Sequence, residues 1–301
     1  MSIATNSPDS ELLAGNYCVS FIDLLGQRAA LHGQGLLPPF ESEDERKKLN
    51  AILRESIGSI IKLQSQAEDM LQGVLQPNLE SPFRASLPPE QHALWDEMQL
   101  TRVTTQRWSD GLMSFVSLGD REMKCKMNGV SGLFFLAGAL CFLGLASQQP
   151  VRGAIEIAWG IELHPGELYG AAVARAYELE SEVAQYPRIV IGSEMVRFLK
   201  LHFNNPDQDL FSQTDKVLAE ICLGMIVQDT DGYWLLHYLG EAFQSAVSHS
   251  QHAELYTAAR KFVHQQLAMH QANLNTKLAF RYSHLLQYFD AHPPTPPESA
   301  Q

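Results

Sequence analysis

The chain has 301 residues, 45% of them hydrophobic and 19% charged, which suffices for one large domain or a domain with sizeable insertions. Its formal net charge of −12 argues against wholesale electrostatic binding to nucleic acid or an anionic membrane, so an anionic ligand needs local arginines or metal ions. Four cysteines, Cys18, Cys125, Cys141 and Cys222, lack Cys-x-x-Cys spacing and sit mostly in apolar runs, the pattern of reduced core residues in a cytoplasmic protein.

Residues 1–16 are polar and are expected to be flexible, with no basic region followed by an apolar stretch to mark a secretory signal. Tyr17–Gly26 then predicts a strand that meets a glycine turn just after Asp23. Residues 27–100 form an insertion: a loop rich in Gly and Pro, a long helix with Leu49, Ile52, Leu53, Ile57, Ile60, Ile61 and Leu63 at helical spacing, a Pro-containing connection, and a short helix over Glu90–Gln99. Strands Arg102–Arg107 and Leu112–Leu118 flank Ser109-Asp110-Gly111, a tight hairpin signal. Val130–Ala146 is nearly all apolar, but it falls at the short limit for spanning a bilayer, carries several glycines and runs almost directly into the next strand. It therefore predicts a core helix pressed closely on a sheet.

That next strand is Val151–Trp159, followed by a Gly/Pro turn, a helix through Ala171–Ser181, a short strand over Arg188–Ile191, and a helix over Glu194–Leu201. Met225–Gln228 and Tyr233–Leu239 form a hairpin across Asp229-Thr-Asp-Gly232, which lacks the downstream acid of a calcium loop. In the segment 241–290 a single long helix is expected from Ala253 to about Tyr288, and the Pro-rich tail 291–301 is expected to be disordered. The whole predicts an α+β fold over residues 17–240: a mostly antiparallel sheet with helices on one face and the other face open to a second copy.

Asp23 and Asp110 are the chemically telling residues. Each ends a hydrophobic strand at a glycine turn, and if the strands are neighbours the two carboxylates converge where only a cation relieves their repulsion. Taken singly, an aspartate before a glycine is a turn former, Arg152 a surface arginine, and Arg175 a partner for Glu178 or Glu182 on its own helix. His249 and His252 have helical ligand spacing, but no carboxylate or cysteine accompanies them, and they read as one helix face.

The ordered motifs Phe21-Ile-Asp-Leu-Leu-Gly26, Ser109-Asp-Gly111, Arg152-Gly-Ala-Ile155 with Gly160, and Tyr169-Gly170 resemble the class III nucleotidyl cyclase domain and its ferredoxin-like core. Ala176-Tyr-Glu-Leu-Glu180 and Tyr186-Pro-Arg-Ile189 are similar to the bacterial pyrimidine cyclases of Pycsar antiphage defence, and the match spans Tyr17 to Gly192. The resemblance implies conversion of UTP to 3′,5′-cyclic UMP and pyrophosphate by two Mn²⁺ or Mg²⁺ ions, in a cytoplasmic homodimer whose product activates an effector.

By the same resemblance, Asp23, Asp110 and the Ile22 carbonyl hold the metals, while Phe21 and the Leu24-Leu25-Gly26 backbone lie against the phosphates. Arg152 reaches the triphosphate, and Gln106 and Glu167 occupy the base-reading positions. The family's helix asparagine and arginine are replaced by Ala174 and Glu178, so Arg175 and Arg188 are the candidates to take over their work. Three alternatives stay open: a cytidylate cyclase, an ATP or GTP cyclase, and an inactive nucleotide-binding scaffold.

Overall fold

Apolar side chains on both faces of one strand, β1 (Gly15–Leu24), set the architecture. The computed structural model describes residues 14–27, 42–75, 84–85, 87–245 and 249–295. β1 pairs antiparallel with β3 (Gly111–Ser117) on one side and β4 (Val151–His164) on the other. β2 (Thr104–Trp108) forms the hairpin with β3, and β5 (Glu167–Tyr169) folds back on the far end of β4. Beyond β4 come β6 (Ile189–Ile191), parallel to it, then β8 (Trp234–Leu236) and β7 (Ile226–Gln228), both antiparallel to their neighbours. The result is a mixed, mostly antiparallel sheet in the order β2-β3-β1-β4-β6-β8-β7.

Cys18, Ile22 and Leu24 of β1 join the main core under α3 (Lys126–Ala146). This is the one helix, among the described residues, long and apolar enough to cross a membrane, and 78% of its most apolar stretch is buried inside the protein. Its glycines serve three neighbours. A Cβ at Gly129 would stand 2.8 Å from the Val116 methyls of β3, one at Gly144 would stand 2.7 Å from the Gln149 carbonyl, and one at Gly138 would strike the Phe243 ring on α7 (Glu241–Gln244). Of these three, Gly129 is the one whose nearest neighbour is a sheet side chain.

The expectation of helices on one face requires correction. Tyr17, Val19 and Phe21 point to the opposite side, where α4 (Ala171–Glu178) covers them with Ala172, Val173 and Ala176. Because β1 and β3 are apolar on both faces, both need cover.

The predicted insertion helix is α1 (Glu43–Leu75), which buries Leu63, Ala67 and Leu71 while Leu53, Ile57 and Ile61 stay exposed. α2 (Pro89–Met98) buries Trp95 and Met98 and is tied back by the Arg84–Asp96 ion pair at 2.8 Å. α5 (Ser193–Phe203) starts at Gly192, which has no capping side chain. The buried Glu156 of β4 supplies the cap by accepting from the Met195 amide at 2.9 Å. α6 (Leu210–Gly224) has no counterpart in the sequence reading, although Asp209 opens it by accepting from the amides of Phe211 and Ser212 at 3.0 and 3.1 Å.

The single C-terminal helix is also corrected: it is a helical hairpin, α8 (His249–Ala272) and α9 (Thr276–Ala291). Leu274 adopts φ +53°, and Asn275 restarts the chain by accepting from the Leu278 amide at 3.3 Å. Phe262, Val263, Tyr282, Leu285 and Phe289 of this hairpin belong to the same core as α3. The expectations for residues 1–13, for the loop at 28–41, for the Pro-containing connection at 76–83 and for the end of the tail at 296–301 lie outside the described residues.

Candidate active site

Strand pairing brings the two aspartates together. Asp23 stands in register with Gly111 on β3 and with Arg152 on β4. Asp110 occupies the two-residue β2–β3 turn, where Ser109 takes the left-handed value φ +49° that such hairpins demand. The Asp110 carbonyl accepts from the Leu24 amide at 3.3 Å, which pins the turn beside the end of β1. Both carboxylates are half-buried and line one cleft of about 450 Å³.

Arg152 forms the third wall. Its Nη2 lies 3.7 Å from Asp23 Oδ2, and its Nε makes an ion pair with Glu180. Glu180 was not singled out as a site residue from the sequence. It sits in a widened turn that continues α4, where the Ala184 amide bonds the Leu179 carbonyl five residues back at 2.8 Å. Burial pushes the Glu180 carboxyl above its ordinary range, the Arg152 charge opposes that shift, and Asp110 adds to it.

Aromatic rings complete the cleft. Phe21 meets Trp108 at 6.0 Å and Tyr177 at 5.6 Å between ring centroids, both edge to face, and the two outer rings are exposed. The i, i+3 spacing of Tyr177 and Glu180, which puts both on one helical face, is the sequence signal that could have found this wall. Trp108 carried a comparable signal as the last strand residue before the turn.

The structure thus gathers Phe21, Asp23, Leu24, Leu25, Gly26, Asp110 and Arg152 at one cleft. The backbone expectation needs correction in part. The Leu24 amide is taken by Asp110, and the Leu25 amide donates to the Pro150 carbonyl at 2.9 Å, so neither is a phosphate donor. Gly26, at φ +93°, is the first residue past these pairings. The Ile22 side chain is buried on the α3 side, while its carbonyl faces Gly111, where a Cβ would stand 3.2 Å from it.

Four other predicted residues do not line the cleft. Arg188 is buried elsewhere: its guanidinium is held by Asp229 at 2.6 Å, Asp231 at 2.7 Å and the Val183 carbonyl at 2.7 Å. Arg175 is exposed on α4, and its charge acts on Glu156. Glu167 is exposed on β5, at the opposite end of β4 from Arg152. Gln106 lies on β2 with its side-chain oxygen buried and without a hydrogen-bond partner. The β4–β5 turn packs against the start of β2, since a Cβ on Gly166 would stand 3.5 Å from the Thr104 methyl.

No protein-family model matches this chain, and no curated protein matches it significantly. Chemically, two carboxylates beside one arginine suit a divalent cation carrying an anionic ligand. Among the described residues no three His, Cys, Asp or Glu side chains cluster as a metal site, so an ion bound here must complete its shell from backbone or ligand oxygens. The four cysteines take no part, because all are buried and burial pushes their thiols well up.

Proposed function

We propose that this chain is a nucleotidyl cyclase that converts a pyrimidine triphosphate, UTP in preference to CTP, to the 3′,5′-cyclic monophosphate and pyrophosphate. The observation that carries this reading is the meeting of Asp23 and Asp110, from separate strand ends, in one cleft with Arg152. The residues fit divalent ions: both carboxylates are half-buried rather than sealed, and Gly111 leaves the space beside Asp23 Oδ1 and the Ile22 carbonyl that a side chain would fill. Bound Mn²⁺ or Mg²⁺ would activate the ribose 3′-hydroxyl and neutralise triphosphate charge. Arg152 orients phosphate oxygens with its planar fork, and Trp108 and Tyr177 offer exposed rings for a base or ribose to stack on.

Within one chain the base-reading pair, Gln106 and Glu167, sits apart from the aspartates, which favours a site completed by a second copy. Exposed Trp159, Leu163 and Tyr169 around the β4–β5 arm give that copy an apolar contact surface. In this reading the protein is a cytoplasmic homodimer, and its cyclic nucleotide is a second messenger that switches an antiphage effector.

Purified protein with Mn²⁺ should form cyclic UMP from UTP, and Asp23→Asn or Asp110→Asn should cut turnover by at least about 100-fold. The absence of product from all four triphosphates, in dimeric protein with metal, would overturn the reading. The Asp23–Arg152 contact favours one rival, an inactive nucleotide-binding scaffold in which arginine already serves as the carboxylate's cation. Nucleotide binding without turnover is its signature.

A further inference from the structure

The C-terminal hairpin α8–α9 packs beside this cleft from outside the β1–β6 region. A groove of about 420 Å³ adjoins the aspartate site and shares Leu25, Gly26 and Arg152 with it, while Phe262, Met269 and Tyr282 of the hairpin form its other wall. Arg281 of α9 lines this groove, half-buried, with Nη2 donating to Gln185 Oε1 at 2.6 Å. Among the described residues no carboxylate forms an ion pair with Arg281. Burial holds its guanidinium below the ordinary value, and the Arg152 charge nearby lowers it further. Arg281 therefore brings a guanidinium without a carboxylate partner to the groove that Arg152 also lines, and two such planar forks on one groove suit a polyanion.

We propose that this groove holds the polyphosphate end of the substrate, with Arg281 and Arg152 as its two cations. The assignment rests on reading the neighbouring cleft as a triphosphate site. It supplies from α9 a second cation for the phosphates beside Arg152, where neither Arg175 nor Arg188 is placed. It also gives the C-terminal hairpin a role in ligand binding beyond its share of the core. Arg281 lies far from Arg152 in sequence, so only docking of the hairpin brings the two together.

Inorganic tripolyphosphate titrated calorimetrically into the full-length protein is the direct probe. Arg281→Gln should weaken its binding at least 5-fold, and Arg281→Lys should restore part of that loss. Lys261→Gln, exposed on α8 and lining neither the cleft nor the groove, should leave it unchanged. In turnover of UTP, Arg281→Gln should raise KM more than it lowers kcat. Tripolyphosphate should also protect Arg281 of the wild-type protein from phenylglyoxal, read by peptide mass, which tests the groove without any variant.

Wild-type protein that does not bind tripolyphosphate, or Arg281→Gln protein that binds it equally well, overturns the groove. The two readings separate cleanly. Cyclic UMP formation that Arg281→Gln leaves untouched sinks the groove and keeps the cyclase. Arg281-dependent tripolyphosphate binding without a cyclic product sinks the cyclase and keeps the groove.

Discussion

Arg152 has a structural partner in Glu180 and, in the proposed function, a ligand to orient, and the two roles can be separated by mutation. Glu180 is almost wholly buried beneath it, so Arg152→Ala strands a carboxylate whose pKa burial already raises. The expected cost is about 3 kcal/mol, the range for breaking a buried pair from one side. Adding Glu180→Gln removes the stranded charge, so the double variant should recover most of that stability in urea unfolding while activity stays lost. If Arg152 were only structural, activity would return with stability. Arg188 shows the opposite outcome for a similar residue: Asp229, Asp231 and Val183 take up its donors, and it serves the fold.

Among the elements, α3 and the α8–α9 turn make the sharpest demands. Gly138→Ala drives a methyl into the Phe243 ring and should cost about 1–3 kcal/mol, as overpacking does. Leu274 pulls the other way. It is 85% exposed and holds φ +53°, so Leu274→Gly relieves backbone strain without emptying the core and should add about 0.5–1 kcal/mol. Thermal melts of the two variants should move in opposite directions. The same turn shows why a continuous helix was expected: the apolar spacing runs on across residues 273–275, and only the Asn275 cap marks the break.

For the whole molecule, acid stability depends on the junction of β6, the β7–β8 turn and α9. Asp229 there accepts from Arg188 at 2.6 Å and contacts His284 Nε2 at 2.9 Å, with the Tyr186 hydroxyl also bonded to it. Burial alone would raise its carboxyl, but the Tyr186 hydroxyl, the Thr230 amide and His284 outweigh burial and hold it below its ordinary value of 3.8. A depressed carboxylate contributes stability that is complete above the unfolded value and is lost as pH falls through the folded one. Melting temperature should therefore drop below about pH 4, and Asp229→Asn should flatten that drop while lowering stability at neutral pH. An unchanged acid slope in the variant would place the loss elsewhere.

What the sequence determined by itself was local: where strands end, where Asp23 and Asp110 stand relative to glycine turns, and that Val130–Ala146 belongs in a core. Hydrophobic period and turn chemistry are written into neighbouring residues, so such features can be read without the fold. Tertiary structure decided which charges meet. Glu180 pairs with Arg152, Arg188 is drawn away to Asp229, the Leu24 and Leu25 amides are used up by Asp110 and Pro150, and Arg281 arrives from the last helix. Those partners come from segments far apart in the chain, and a charge acts on whatever folding places within a few ångströms of it, whatever its position in the sequence.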